Sequence, residues 1–285
     1  MKRISPVILL ALALSVAAAR AGGQDLPDLG DVSQATLTPL MERRMGETIM
    51  REVRSDRAYY EEPEATDYVN QLGNRLAARS ADARQEFDFF LMQDPQINAF
   101  ALPGGFIGVN TGLLFAAQSE SEVAGVIAHE ISHVTQRHIA RMIAQEKQGT
   151  VTTLASIAAA ILLSRVSSDA AQAAFMFGQA SAVQGQLNFT RDNEREADRV
   201  GLQLLDKAGF DPRGMASFFE RLQRATGVYE TAAPSYLRTH PLTFERIADI
   251  QNRLQELPYR QIPDSVEFQL VRAKLRSDLE PPRRG

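Results

Sequence analysis

Two of the four histidines in this 285-residue chain lie in the run His129-Glu130-Ile131-Ser132-His133. Val123, Val126, Ile127, Ile131 and Val134 recur around it at helical spacing, so the run is read as part of a helix. Four residues apart on a helix, two imidazoles leave the same face one turn apart and can meet a single metal ion. Glu130 projects beside them, within reach of a proton on a water held by such an ion. This is the residue set of metal-assisted hydrolysis. On a bare surface helix it would be an ordinary polar face, but the flanking apolar residues imply burial.

The chain has no cysteine, which excludes thiolate catalysis, disulfides and Cys-type metal sites. Any metal must be held by His and carboxylates. A catalytic site needs a third protein ligand and an open position. The candidates are His138, His240 or a carboxylate, and Asn193-Glu194-Arg195-Glu196-Ala197-Asp198 supplies the strongest set. Glu194 and Asp198 are four apart and share one helix face. One can bind metal while the other accepts a ligand histidine's free N–H and sets its tautomer. On an unbroken helix His138 lies about 140° around from His133, so it is expected to point away from the metal and to be structural.

Lys and Arg number 31 against 35 Asp and Glu, a net charge of −4, so no surplus of cations exists for phosphate contacts and a nucleic-acid binder is excluded. Apolar residues at 44% and charged residues at 23% describe a globular chain.

Several elements must position these residues. Leu37, Met41, Met45, Ile49 and Val53 mark a helix over residues 32–54, and Tyr68, Val69, Leu72 and Leu76 a second. Phe87, Phe89 and Leu91, then residues 97–102 and 106–109, read as short strands, the last two joined by a turn at Pro103-Gly104-Gly105. Ser119 and Glu122 have capping-box spacing and open the long helix, expected to run past His138 toward Gln145. A helix over 192–208 stops at Gly209, and Asp211-Pro212 starts another. His240-Pro241 is expected to open a helix through Leu257, and residues 264–276 form a last one. Residues 98–102 are read as an edge strand, with Asn98, Ala99 and Phe100 offering backbone groups to an extended substrate.

Residues 1–21 read as a cleaved signal peptide: Lys2 and Arg3, a short apolar core, then Ala19 and Ala21 around Arg20. The core is too short to cross a bilayer, which implies export to the periplasm and at most peripheral membrane association. Residues 22–31 form a polar leader. Residues 149–186, rich in Ala, Ser, Thr and Gln, are read as a lid between the two ligand helices.

The His-Glu-x-x-His run, the Glu194-x-x-Ala197-Asp198 run, the NAFALPGG run of residues 98–105, the extended stretch 106–114, and the THPLTFER run of residues 239–246 together resemble the zinc metallopeptidase family of CAAX prenyl proteases and HtpX-like proteases, in its periplasmic BepA-like branch. The resemblance covers roughly residues 35–258. It implies a mainly helical, zincin-like α+β fold whose small sheet borders the active-site groove. The peptidase domain would span residues 32–260, followed by a C-terminal helix and tail over 261–285. It implies one Zn2+ held by His129, His133 and Glu194, with Asp198 bracing a ligand histidine and Glu130 as general base. His240 and Arg246 would steady the oxyanion, or His240 would fill the open metal position and keep the enzyme latent. Implied substrates are misfolded or stalled envelope and outer-membrane proteins. Larger members of that branch carry a tetratricopeptide-repeat domain that engages the outer-membrane assembly machinery. Room for one helix after residue 263 does not imply those contacts. The competing reading is a non-catalytic, zinc-stabilised chaperone or adaptor for outer-membrane proteins; Glu130 favours the enzyme.

Overall fold

The computed structural model describes residues 37–80, 85–145, 191–228 and 234–279. The expected signal peptide, leader and lid lie outside these residues. Helix α1 (Pro39–Ser55) starts where Thr38 caps the Met41 N–H, and it buries Gly46, Ile49, Met50 and Val53. A two-residue strand β1 (Tyr59–Tyr60) follows, then α2 (Pro63–Ala77), which buries Tyr68, Val69, Leu72 and Leu76.

Strands β2 (Asp88–Met92), β3 (Ala99–Leu102) and β4 (Phe106–Asn110) join β1 in a four-stranded sheet of order β1-β2-β4-β3. The β2–β4 pair is parallel and the other two pairs are antiparallel. Both faces of the sheet are covered. Phe89, Leu91, Ala99, Ala101, Ile107 and Val109 join one core, while Phe90, Met92, Phe100, Leu102 and Phe106 join a second with α1. That double burial explains why the strands read as apolar runs with little alternation. Gly104 and Gly105, at φ of 80° and 87°, make the tight β3–β4 turn. β1 carries no signal in the sequence, because two residues beside a helix end are too few for a period.

After α3 (Thr111–Ala116) comes α4 (Glu120–Thr135), which holds the His-Glu-x-x-His run. Ser119 caps it by accepting the Glu122 N–H, while Glu122 Oε2 accepts from Gln118 N at 2.7 Å, one residue earlier than in a capping box. The expected continuous helix is interrupted. α4 ends at Thr135, Arg137 takes a left-handed φ of 53°, and α5 (His138–Gln145) sets off anew. The Arg137 guanidinium bonds to the Leu37 carbonyl at 2.5 Å, so a tertiary anchor imposes the break.

Helix α6 (Arg191–Ala208) ends at Gly209, φ 77°, and α7 (Arg213–Val228) follows Asp211-Pro212. His240-Pro241 does not open a helix as expected. His240 is instead the C-cap of the short α8 (Ser235–Thr239), and Thr243 caps α9 (Phe244–Gln255). Pro241 disfavours helical backbone at the residue before it, and His240 leaves the helix at φ −122°, ψ 77°. The last helix is α10 (Val266–Leu279). No helix among the described residues is long and apolar enough to cross a membrane.

Candidate metal centre

Helix α4 lies buried between the sheet and α6, and α6 passes close to the α4 backbone at Gly201. A Cβ there would come within 3.3 Å of the Ala128 carbonyl carbon and the His129 nitrogen. Glu194 lies two turns before Gly201 and Asp198 one, so both carboxylates project along the same face onto the histidines.

The donors converge tightly. His129 Nε2 is 2.9 Å from His133 Nε2 and 3.4 Å from Glu194 Oε2. His133 Nε2 is 3.4 Å from Glu194 Oε1. His240 Nδ1 completes the group at 3.4 Å from His129 Nε2 and 3.1 Å from Glu194 Oε1. Zinc bonds of about 2.0–2.1 Å in a tetrahedron require ligand atoms about 3.3–3.4 Å apart, so the set fits one such ion. All four residues are buried. The Tyr236 ring stacks on the His240 ring, centroids 4.7 Å apart, and holds it in place.

Around the donors the polar groups are paired with direction. His129 Nδ1 lies 2.9 Å from Asp198 Oδ1. Burial alone would raise the Asp198 carboxyl, but the Arg246 charge beside it holds it below its usual range. Burial would likewise raise Glu194, yet His240 and the ligand histidines keep it well below, so it is an anion ready to bind. Burial pushes His133 well down and keeps its ring neutral. Glu130, also buried, is pushed up to about 7 by burial, and its Oε1 sits 3.5 Å from His240 Nε2. The Ala101 backbone N–H donates to the Glu130 carboxylate.

The constellation, on these elements and in this order along the chain, coincides with the match to Peptidase family M48 over residues 63–254. The chain belongs to peptidase family M48. Among M48 relatives it is 41% identical over 251 residues to the putative beta-barrel assembly-enhancing protease of Vibrio cholerae, covering 88% of this chain and 52% of that one. It is 38% identical over 249 residues to the beta-barrel assembly-enhancing protease of Escherichia coli K12, covering 87% and 51%. It is also 34% identical over 218 residues to the mitochondrial metalloendopeptidase OMA1 of Schizosaccharomyces pombe, covering 75% and 61%. The chain spans about half the length of the two bacterial relatives.

Within this M48 site, His129, His133, Glu194, His240, Glu130, Asp198 and Arg246 are brought together. Arg246 sits differently from an oxyanion partner. Its Nε and Nη2 donate to Asp198 at 2.7 and 2.8 Å, and Nη1 reaches Glu194 Oε2 and the Pro241 carbonyl, both at 2.8 Å. Three of these contacts go to the carboxylates of the site and the fourth to the Pro241 carbonyl. The edge-strand expectation is realised by β3, which pairs only with β4 among the described residues, but with altered residues. Asn98 O accepts from Asn110 N, and the register alternates, so Asn98 and Phe100 turn their backbone groups to β4 while Ala99 and Ala101 turn theirs outward. His138 departs from expectation too. The break at Arg137 brings its Nδ1 to 2.7 Å from His133 Nδ1. No sequence signal marks that break, since Gln136 and Arg137 are both good helix formers.

Proposed function

We propose that this chain is a zinc-dependent endopeptidase, exported to the periplasm through a cleaved signal peptide, that hydrolyses peptide bonds in misfolded or stalled outer-membrane and other envelope proteins. The observation that carries the reading is the buried Glu130 carboxylate beside a four-donor cluster, since a purely structural metal site has no use for a general base. The names of the bacterial relatives support the substrate class. The outer-membrane assembly machinery is the partner that this reading suggests.

His129, His133 and Glu194 would hold the ion. A bound zinc would supply Lewis acidity toward a water and the scissile carbonyl. Glu130 takes the proton of the attacking water and delivers it to the departing amine. The Ala101 N–H keeps that carboxylate aimed while the outward backbone groups of Ala99 pair with an extended substrate. Pairing through the main chain accepts many sequences, which suits clearance of unfolded proteins. With an ion bound, His240 Nδ1 would be a fourth protein ligand beside His129 and Glu194, and this arrangement would be a latent form. Once swung aside, its ring can donate to the tetrahedral oxyanion. Arg246 holds Asp198 and Glu194 throughout.

Zinc-loaded wild type and Glu130→Gln, each incubated with casein or a denatured outer-membrane protein, test the mechanism. Cleavage should fall at least about 100-fold in the variant; equal cleavage by both would defeat it. The fourth donor, His240, also favours a second reading, a zinc-stabilised chaperone or adaptor. Suppressed aggregation of the same substrates without any cutting, in wild type and in His240→Ala alike, would establish that reading instead.

A further inference from the structure

We propose that His138 is a positioning residue of the metal centre: it accepts the Nδ1 proton of His133 and, backed by Glu196 and Arg141, fixes that ligand's ring and tautomer. The proposal rests on the reading of His129, His133 and Glu194 as metal ligands.

His133 directs Nε2 into the cluster, 2.9 Å from His129 Nε2 and 3.4 Å from Glu194 Oε1. A neutral imidazole that offers Nε2 to a metal carries its proton on Nδ1. The nitrogen facing that proton is His138 Nδ1, at 2.7 Å. Two ring nitrogens so close share one proton, which makes His138 Nδ1 the acceptor and puts the proton of His138 on Nε2. That N–H faces Glu196 Oε2 at 3.2 Å, and Arg141 Nη2 grips the same oxygen at 2.6 Å. Arg141 also bonds Asn193 Oδ1 at 3.0 Å. Each proton therefore has one direction, from His133 to His138 and from His138 to Glu196, with an arginine closing the row. His138 is fully buried, while Glu196 and Arg141 behind it are partly exposed.

The two ligand histidines are thus braced by different chemistry. His129 leans on Asp198, a carboxylate clamped by Arg246. His133 leans on a neutral ring, a weaker acceptor whose pull is restored in part by the carboxylate behind it. The interruption at Gln136 and Arg137 is what permits this contact. On a continuous helix, His138 would stand about 140° away from His133. On α6, Glu196 is two residues past Glu194 and so leaves the helix about 200° around from it, away from the metal and toward α5. One helix therefore feeds the ion with Glu194 and braces the opposite ligand with Glu196.

Zinc competition against a chromogenic chelator on the full chain tests this, comparing wild type, His138→Phe, His138→Asn and Glu196→Gln, with melting of each zinc-free protein measured alongside. His138→Phe fills the space without an acceptor and should raise the zinc Kd about 10- to 100-fold, with zinc-free melting little changed. His138→Asn sets a carbonyl oxygen near the Nδ1 position and should return the Kd to within about threefold of wild type. Glu196→Gln should fall between them. In 15N-histidine NMR of zinc-loaded wild type, His133 should be protonated at Nδ1 and His138 at Nε2, a reading that needs no variant to fold. An unchanged Kd in His138→Phe, an Asn variant as weak as the Phe variant, or a His138 proton on Nδ1 would each overturn the proposal while leaving the metal site intact. A wild type that takes up no zinc would overturn the site itself, and this brace with it.

Discussion

Arg246 grips Asp198 through two parallel hydrogen bonds, Nε to Oδ2 at 2.7 Å and Nη2 to Oδ1 at 2.8 Å, with both side chains buried. Because Nη1 also meets Glu194 at 2.8 Å, one cation serves both the carboxylate that would bind the ion and the carboxylate that braces His129. Only a planar, forked cation can do this; a lysine ammonium is a point charge. Arg246→Met would strand two buried anions and should destabilise the fold by about 3–5 kcal/mol in urea unfolding at fixed zinc. A loss below about 1 kcal/mol would show that the fork is not what holds Asp198 and Glu194.

Removal of metal is expected to weaken the whole domain. His129, His133, Glu194 and His240 crowd their donors within 4.8 Å of one another in a buried space, an arrangement that an ion stabilises and that its loss leaves strained. Zinc held at one hundred times its Kd should add about 2.7 kcal/mol relative to the chelator-treated chain. Identical melting curves with and without chelator would contradict the site.

His240→Ala should leave one zinc per chain, since His129, His133 and Glu194 remain, and should open the corner that Nδ1 now fills. A peptide hydroxamate then has no protein ligand to displace and should bind at least about tenfold more tightly than to wild type. Titration calorimetry giving equal affinities would mean that His240 does not hold that corner in solution.

Gly201→Ala is expected to act on stability and metal together. The added methyl would lie 2.9 Å from Met215 Cε and 3.3 Å from the α4 backbone at His129, pressing α6 away from the histidines. A cost of about 1–3 kcal/mol and a weaker zinc Kd should appear in the same variant. Gly209→Ala, at a left-handed φ of 77° beyond the end of α6, should cost stability of about 1 kcal/mol with the Kd unchanged. Equal Kd values in the two variants would refute the spacing argument.

Much of this site is legible in the residues. The His129–His133 spacing, the carboxylate pair Glu194 and Asp198, the stops at Gly209 and Gly104-Gly105, and the buried face of α2 all follow from periodicity and turn chemistry, which are local. Of the expected α1 stripe, Ile49 and Val53 are buried, whereas Met41 is exposed and Leu37 precedes the helix. What escapes is equally specific. β1 pairs with Met92 and Leu91 across the sheet and sets Tyr59 against Phe90, residues some thirty positions away. Arg137 departs from helix because its guanidinium finds the Leu37 carbonyl and Glu42, contacts that no window around residue 137 contains. Arg246 reads as an oxyanion partner by resemblance, while its surroundings spend it on Asp198 and Glu194.

By itself the amino-acid order determined the kind of chemistry: which side chains can bind a cation, which can carry a proton, and which helices and strands bear them. Helical geometry links neighbours three or four apart whatever the rest of the chain does, so those choices are written locally. The tertiary structure alone decided that His240 enters the donor set, that Ala99 and Ala101 own the outward edge of β3, and that His138 turns back to meet His133. Each depends on packing between segments far apart in sequence, where the balance of burial and hydrogen bonding is struck only once the core has closed.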